Sequence, residues 1–275
     1  MKFRIFQAIA FVGLVALSIP FKAHSLVLGG GGGTLSSVVA SAVSFSPSDL
    51  PNLTLYLDGT ALAAGRITVN GSNEVTAWTD KSASARTFTG SSGSTLIWDA
   101  AASAVKMPAG GNPQVVDTGG ALISKGSAFT TAIRVKHQFT AYGQTRRLYS
   151  LHDGTNSVPI TSANYTGFAS FLGFFFGNST WKAGATGQTL TANAYRTLIV
   201  TYNGAGHTDL ANFSCYVDGV TISLISSSLS SYDTVTENLI GGDGEVDAYT
   251  KAVVLYSRVI NATERGKLEA YLGSL

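Results

Sequence analysis

Cleaving a sugar bond takes two carboxylates, one acting as acid and the other as nucleophile or base. The chain holds one Glu-x-Asp, Glu245-Val246-Asp247, and the next positions are Ala248, Tyr249 and Thr250, so no third carboxylate follows. Gly241-Gly242-Asp243-Gly244 runs directly into it and reads as a turn. His137, His152 and His207 are scattered, without zinc-ligand spacing. His137 alternates with Val135 and Phe139 and reads as a hydrogen-bonded core or cleft histidine, whereas His152-Asp153 and His207-Thr208-Asp209 read as turns. Serines are plentiful, but no Gly-x-Ser-x-Gly elbow, phosphate loop or dinucleotide fingerprint occurs. The one cysteine, Cys215, sits in the alternating run Asn212-Phe213-Ser214-Cys215-Tyr216-Val217 and reads as a small buried hydrophobe. The expectation is a protein that is not an enzyme.

Among ions, calcium fits a loop-rich chain best, because loops gather oxygens from Asp, Asn and main-chain carbonyls. Asp153, Asp209, Asp243 and Asp247 are the candidates, although turn aspartates more often bond their own backbone. For ligands, aromatic side chains carry the most weight, since sugar faces and protein partners dock on flat apolar surfaces with few polar tips. In Phe174-Phe175-Phe176 the middle ring must face away from its neighbours on a strand. Tyr142 and Trp181 lie near turns. Tyr142, Phe175 and Trp181 are thus the ligand-binding candidates. The competing reading is that such rings only fill a core.

The elements that would position these groups are strands. Charged residues make up only 12% of the 275, about half the usual share, and hydrophobic residues 45%. Serine and threonine replace charge at the surface, which suits alternating strands better than helices. Lys2, Arg4 and Lys22 fall in the first 25 residues; without them 15 basic residues face 16 acidic ones, a net charge of −1. No basic stripe remains, so nucleic acid is excluded as a partner. Residues 1–25 read as a secretory signal peptide or N-terminal anchor: Lys2 and Arg4, an apolar stretch from Ile5 to Phe21, then small residues at Ala23 and Ser25. Residues 26–45, with five glycines from Gly29 to Gly33, read as a flexible linker. A secreted or extracellular location follows, and no later segment is apolar enough to span a membrane.

From Ser46 onward period-two alternation dominates. Leu53–Leu57, Val75–Trp78, Arg86–Thr89, Thr131–Phe139, Arg146–Leu151, Phe168–Phe176 and Tyr195–Tyr202 read as strands. Phe213–Val217 and Val220–Leu224, joined by Asp218-Gly219, form the clearest hairpin, because Asp-Gly favours primed turns. A final strand is expected from Ala252 to Tyr256. One helix closes the chain: Asn261 caps it, Glu264 completes a capping box, Leu268, Tyr271 and Leu272 share a face, and Gly273 follows the last turn. The pattern predicts an all-β, antiparallel two-sheet sandwich with one short C-terminal helix, spanning residues 46–275.

Three stretches of this body resemble the laminin-G-like/concanavalin A-like superfamily in its bacterial or viral form. They are the opening Asp49–Asp58, the Trp-x-Asp-x-Ser of Trp78-Thr79-Asp80-Lys81-Ser82, and an ending made of Leu239-Ile240-Gly241-Gly242, Ala252–Arg258 and Ala262–Leu272. The resemblance implies a jelly-roll sandwich. It implies no single activity, because the fold hosts lectins, adhesion modules, hydrolases and lyases. Retaining glucanases of this fold place Glu-x-Asp-x-(x)-Glu on one strand, and Glu245-Val246-Asp247 lacks the last carboxylate. Where the family keeps a glycine and an acid entering the closing strand, this chain has Tyr249-Thr250-Lys251. The expected function is a secreted carbohydrate-binding or adhesion module whose partner is a glycan or a surface protein. The alternatives are a structural or attachment component of a viral or cell-surface assembly, and a glycan hydrolase or lyase with an unrecognised site.

Overall fold

The computed structural model describes residues 44–90, 96–108, 113–124, 126–137, 144–152, 157–165, 168–174, 184–185, 193–206, 209–225, 237–241 and 247–275. The signal segment and all but the last two residues of the expected linker lie outside these. Strand β1 (Leu53–Asp58) leads through one helical turn, α1 (Leu62–Gly65), into β2 (Ile67–Val69), β3 (Val75–Thr79), β4 (Thr87–Gly90), β5 (Ile97–Asp99), β6 (Ala104–Met107) and β7 (Gln114–Asp117). Then come β8 (Phe129–His137), β9 (Gln144–His152), β10 (Ser157–Tyr165), β11 (Phe168–Phe174), β12 (Gly184–Ala185) and β13 (Tyr195–Tyr202). The chain continues through β14 (Phe213–Val217), β15 (Val220–Ile222), β16 (Leu224–Ile225), β17 (Glu237–Gly241), β18 (Ala248–Tyr256) and the helix α2 (Ala262–Ser274).

Two antiparallel sheets of eight strands result. The first runs β15-β14-β13-β8-β18-β6-β5, with β1 also paired to β18; the second runs β11-β10-β9-β17-β7-β4-β3-β2. Strands β12 and β16 form a separate small ladder. Alternation decides what each sheet buries. Leu55, Leu57, Ile133, Val135, Leu198, Val253 and Leu255 from the first sheet meet Trp78, Phe88, Val115 and Ile240 from the second. Their neighbours on the opposite face of the first sheet, Ala132, Ile199, Val254 and Tyr256, pack under Leu268 and Leu272 of α2. The sequence reading of sandwich plus closing helix is therefore the architecture observed.

Details differ where local signals are weak. The last strand begins at Ala248, four residues before the expected Ala252, because its pairing with β8 shifts register between Thr250 and Ala252. That bulge breaks the alternation by which a strand is recognised. His152, expected in a turn, ends β9 and pairs opposite Ser157 and Glu237. Gly273 lies inside α2, which runs on to Ser274, while the predicted Asn261–Glu264 capping box is present in both directions. The nine-residue strand β10, the short strands β2, β5, β6, β7 and β12 and the turn α1 were not expected at all. Asp218 (φ 48°) and Gly219 (φ 80°) both take positive φ, as a primed hairpin turn requires.

Candidate functional site

The aromatic candidates Tyr142, Phe175 and Trp181 lie outside the described residues, as do Glu245, Asp153 and Asp243. Of the calcium candidates that are described, Asp209 caps a short turn by accepting from the Ala211 N–H at 2.9 Å. Asp247 pairs with Lys106 at 2.9 Å. Among the described residues no three His, Cys, Asp or Glu side chains gather at one point. Cys215 is buried, and burial alone pushes its thiol up to about 12, which fits a packed hydrophobe and not a nucleophile.

The Trp-x-Asp-x-Ser stretch performs structure rather than chemistry. Trp78, fully buried in the core, donates its indole N–H to the Asp58 carbonyl at 3.1 Å. Asp80 is fully buried and accepts from the N–H groups of Tyr56 and Ser82, both at 2.7 Å, from Ser84 Oγ at 2.6 Å and from Ser82 Oγ. These bonds tie the β3–β4 loop to the edge of β1. Lys81 closes the same corner through Asp58 at 2.9 Å.

A cluster of charged and aromatic residues sits on the outer face of the first sheet, where Lys136, Tyr195 and Lys251 are partly exposed and Tyr249 is buried. Pairing registers place Lys106 of β6 opposite Tyr249 of β18, Tyr249 opposite Lys136 of β8, and Lys136 opposite Tyr195 of β13. One straight row, Lys-Tyr-Lys-Tyr, thus crosses four adjacent strands. It lies on the face turned away from Val135 and Ala248, beyond the part that α2 covers. Lys136 Nζ stands 4.1 Å from the Tyr249 ring centre and 5.2 Å from that of Tyr195. Lys106 lies 5.6 Å from the Tyr249 centre. The bulge at the middle of β18 adds Lys251, whose Nζ is 4.7 Å from the Tyr195 centre and donates to the main-chain oxygen of Leu275 at the end of α2. Arg134 lies 5.8 Å from the same ring.

Four of the chain's 18 lysines and arginines meet here, in a protein that uses charge sparingly. Two of them have carboxylates: Lys106 pairs with Asp247, and Arg134 stands 3.7 Å from Asp218. Lys136 faces tyrosine rings without a carboxylate partner among the described residues, whereas Lys251 is bonded to a terminal oxygen of Leu275. Burial, and then repulsion from Arg134 and Lys136, holds the Lys251 amine below the usual lysine range. The hydroxyl of the half-buried Tyr195 is itself buried and makes no hydrogen bond among the described residues. Burial, with Tyr249 and Asp99 adding, pushes it up to about 12, so it stays a donor at any physiological pH. Sequence alternation separates Arg134 and Lys136 from Ile133 and Val135. The row itself depends on pairing between strands far apart in sequence, which no local signal carries.

No protein-family pattern and no curated protein matches the chain. Solved structures do. The binding domain of botulinum neurotoxin DC, solved in complex with rat synaptotagmin II, superposes with a TM-score of 0.57 at 12% identity over 82% of this chain and 52% of that one. Botulinum neurotoxin type C, whose cell entry is described as dependent upon interaction with two ganglioside molecules, gives 0.56 at 12% identity, over 80% of this chain and 51% of its own. Trypanosoma rangeli sialidase in complex with sialic acid gives 0.51 at 15% identity, over 80% of this chain and 33% of the enzyme. The likeness is one of fold. The chain spans about half of each neurotoxin chain and a third of the sialidase, and it shares with them a β-sandwich.

Proposed function

We propose that this protein is a non-catalytic glycan-binding module, secreted, of the concanavalin A-like or laminin-G-like kind. The observation that carries the reading is the lysine–tyrosine row on a sheet whose other half is sealed by a helix. A sugar ring offers a flat C–H face edged by hydroxyls, and the partly exposed Tyr195 ring, with the Lys136 ammonium beside it, offers a match to both features. Similarity in fold to the neurotoxin binding domains supports the choice of ligand, since ganglioside interaction is described for one of them. Tyr142, Phe175 and Trp181 stay in the proposal as a second aromatic surface. A glycan array should return a defined set of hits, and Trp181→Ala and Phe175→Ala should weaken them if those rings take part. An empty array over the full concentration range would refute the reading.

Hydrolysis is the second reading, kept by the similarity to the sialidase. Against it, Asp247 is already tied to Lys106. Release of reducing ends or of free sialic acid from array hits decides between the two; the binding reading predicts none above buffer.

A further inference from the structure

We infer that the stretch from Trp78 to Ser84 is an edge cap: it occupies the free hydrogen-bonding edge of β1 and keeps a second copy of this chain from adding a strand there. Among the described strands β1 pairs with β18 alone, so its other edge lacks a strand. An edge of this kind is a template for another chain. The sequence of β1 would make it a good one. Leu53-Thr54-Leu55-Tyr56-Leu57 is apolar at every second position, carries strand-favouring Thr54 and Tyr56, and has no glycine, proline or charge. By contrast β2, β5 and β15, which end their sheets, run three residues each. Edges that short resist pairing by their length.

The β3–β4 corner meets the edge of β1 group for group. Alternate residues of an antiparallel strand turn their main-chain groups away from the partner, and on β1 these are Thr54, Tyr56 and Asp58. The Tyr56 N–H donates to the Asp80 carboxylate at 2.7 Å, and the Tyr56 carbonyl accepts from the Lys81 N–H at 2.8 Å. The Asp58 carbonyl accepts from Trp78 Nε1 at 3.1 Å. The Thr54 carbonyl stands 3.1 Å and 3.0 Å from the Ser82 and Ser84 hydroxyls. An incoming strand would need these same groups, so cap and strand exclude each other. Asp80 matters most. It is fully buried, it supplies the acceptor for the Tyr56 N–H, and it also holds both serine hydroxyls and the Ser82 N–H. Its removal therefore frees the edge and loosens the other donors together.

The test is sedimentation velocity of the full chain, beside binding of a fluorescein-labelled peptide that copies residues 52–58. Asp80→Ala should associate, its average mass rising about twofold or more with concentration, and should bind the peptide about tenfold more tightly than the wild type does. Leu198→Ala removes a fully buried side chain of β13 and destabilises the fold without opening β1, so it should keep the wild-type mass and affinity. Asp80→Asn retains an oxygen for the Tyr56 N–H and should behave as the wild type. If Asp80→Ala does not fold, the double variant Ser82→Ala/Ser84→Ala, which frees the Thr54 carbonyl, takes its place. Wild-type mass with no gain in peptide binding overturns the inference. So does equal association of Leu198→Ala or Asp80→Asn, because association would then follow lost stability or lost charge and not an opened edge.

Discussion

Asp80 shows how one side chain can decide whether a loop holds. Its carboxylate is out of water and accepts from Tyr56, Ser82 and Ser84 across the corner between β1 and β3. Asp80→Ala would strand two buried N–H groups, and we expect a loss of about 3 kcal/mol in urea unfolding; a change under about 0.5 kcal/mol would contradict the assignment. Two further carboxylates make stability depend on acid. Contacts from Arg258, then the Asn261 N–H, hold Glu264 down at about 2 from its usual 4.5. Asp58 also lies below its usual range: burial pushes it up, but bonds from Lys81 and Thr60 outweigh that. Carboxyls depressed on folding stabilise above their unfolded values and lose that contribution as the pH drops through the folded ones. Melting temperature should therefore fall between about pH 4.5 and pH 2, and Glu264→Gln should flatten part of the slope. The Trp-x-Asp-x-Ser motif was visible in the sequence as a resemblance, but its role was not, because one of Asp80's donors, Tyr56, lies 24 residues away.

The bulge in β18 and the helix above it are the elements that set the row. Gly59 donates to the Lys251 carbonyl at 2.7 Å, and a Cβ there would stand 2.6 Å from the Thr250 oxygen. Gly59→Ala should press on the bulge that positions Lys251. It should lower stability by about 1–3 kcal/mol in urea unfolding, measured beside the wild type. Leu268 and Leu272 are fully buried under α2, so Leu268→Ala should cost about 3 kcal/mol. The helix was legible because its cap, its apolar stripe and its box all lie within a dozen residues. Strand Tyr195–Tyr202 and the Asp218-Gly219 hairpin were legible for the same local reasons. The start of β18 was not, since a bulge hides period two, and strands of three or four residues are too short for alternation to announce.

At the scale of the molecule, a charge-poor chain has built two sheets around a shared interior and sealed part of one outer face with its closing helix. What remains of that face carries lysines and tyrosines in register across β6, β18, β8 and β13. The architecture was readable from composition and alternation, whereas the surface was not, because register joins Lys106, Lys136, Tyr195 and Tyr249 only after folding. The central claim is that this face is where sugar binds. Backbone amide shifts followed by NMR as a glycan hit from the array is added test it most directly. The account predicts that the largest changes fall on Lys136, Tyr195, Tyr249 and Lys251 and their strand neighbours. Changes confined to Tyr142, Phe175 and Trp181, or none at millimolar sugar, would contradict it.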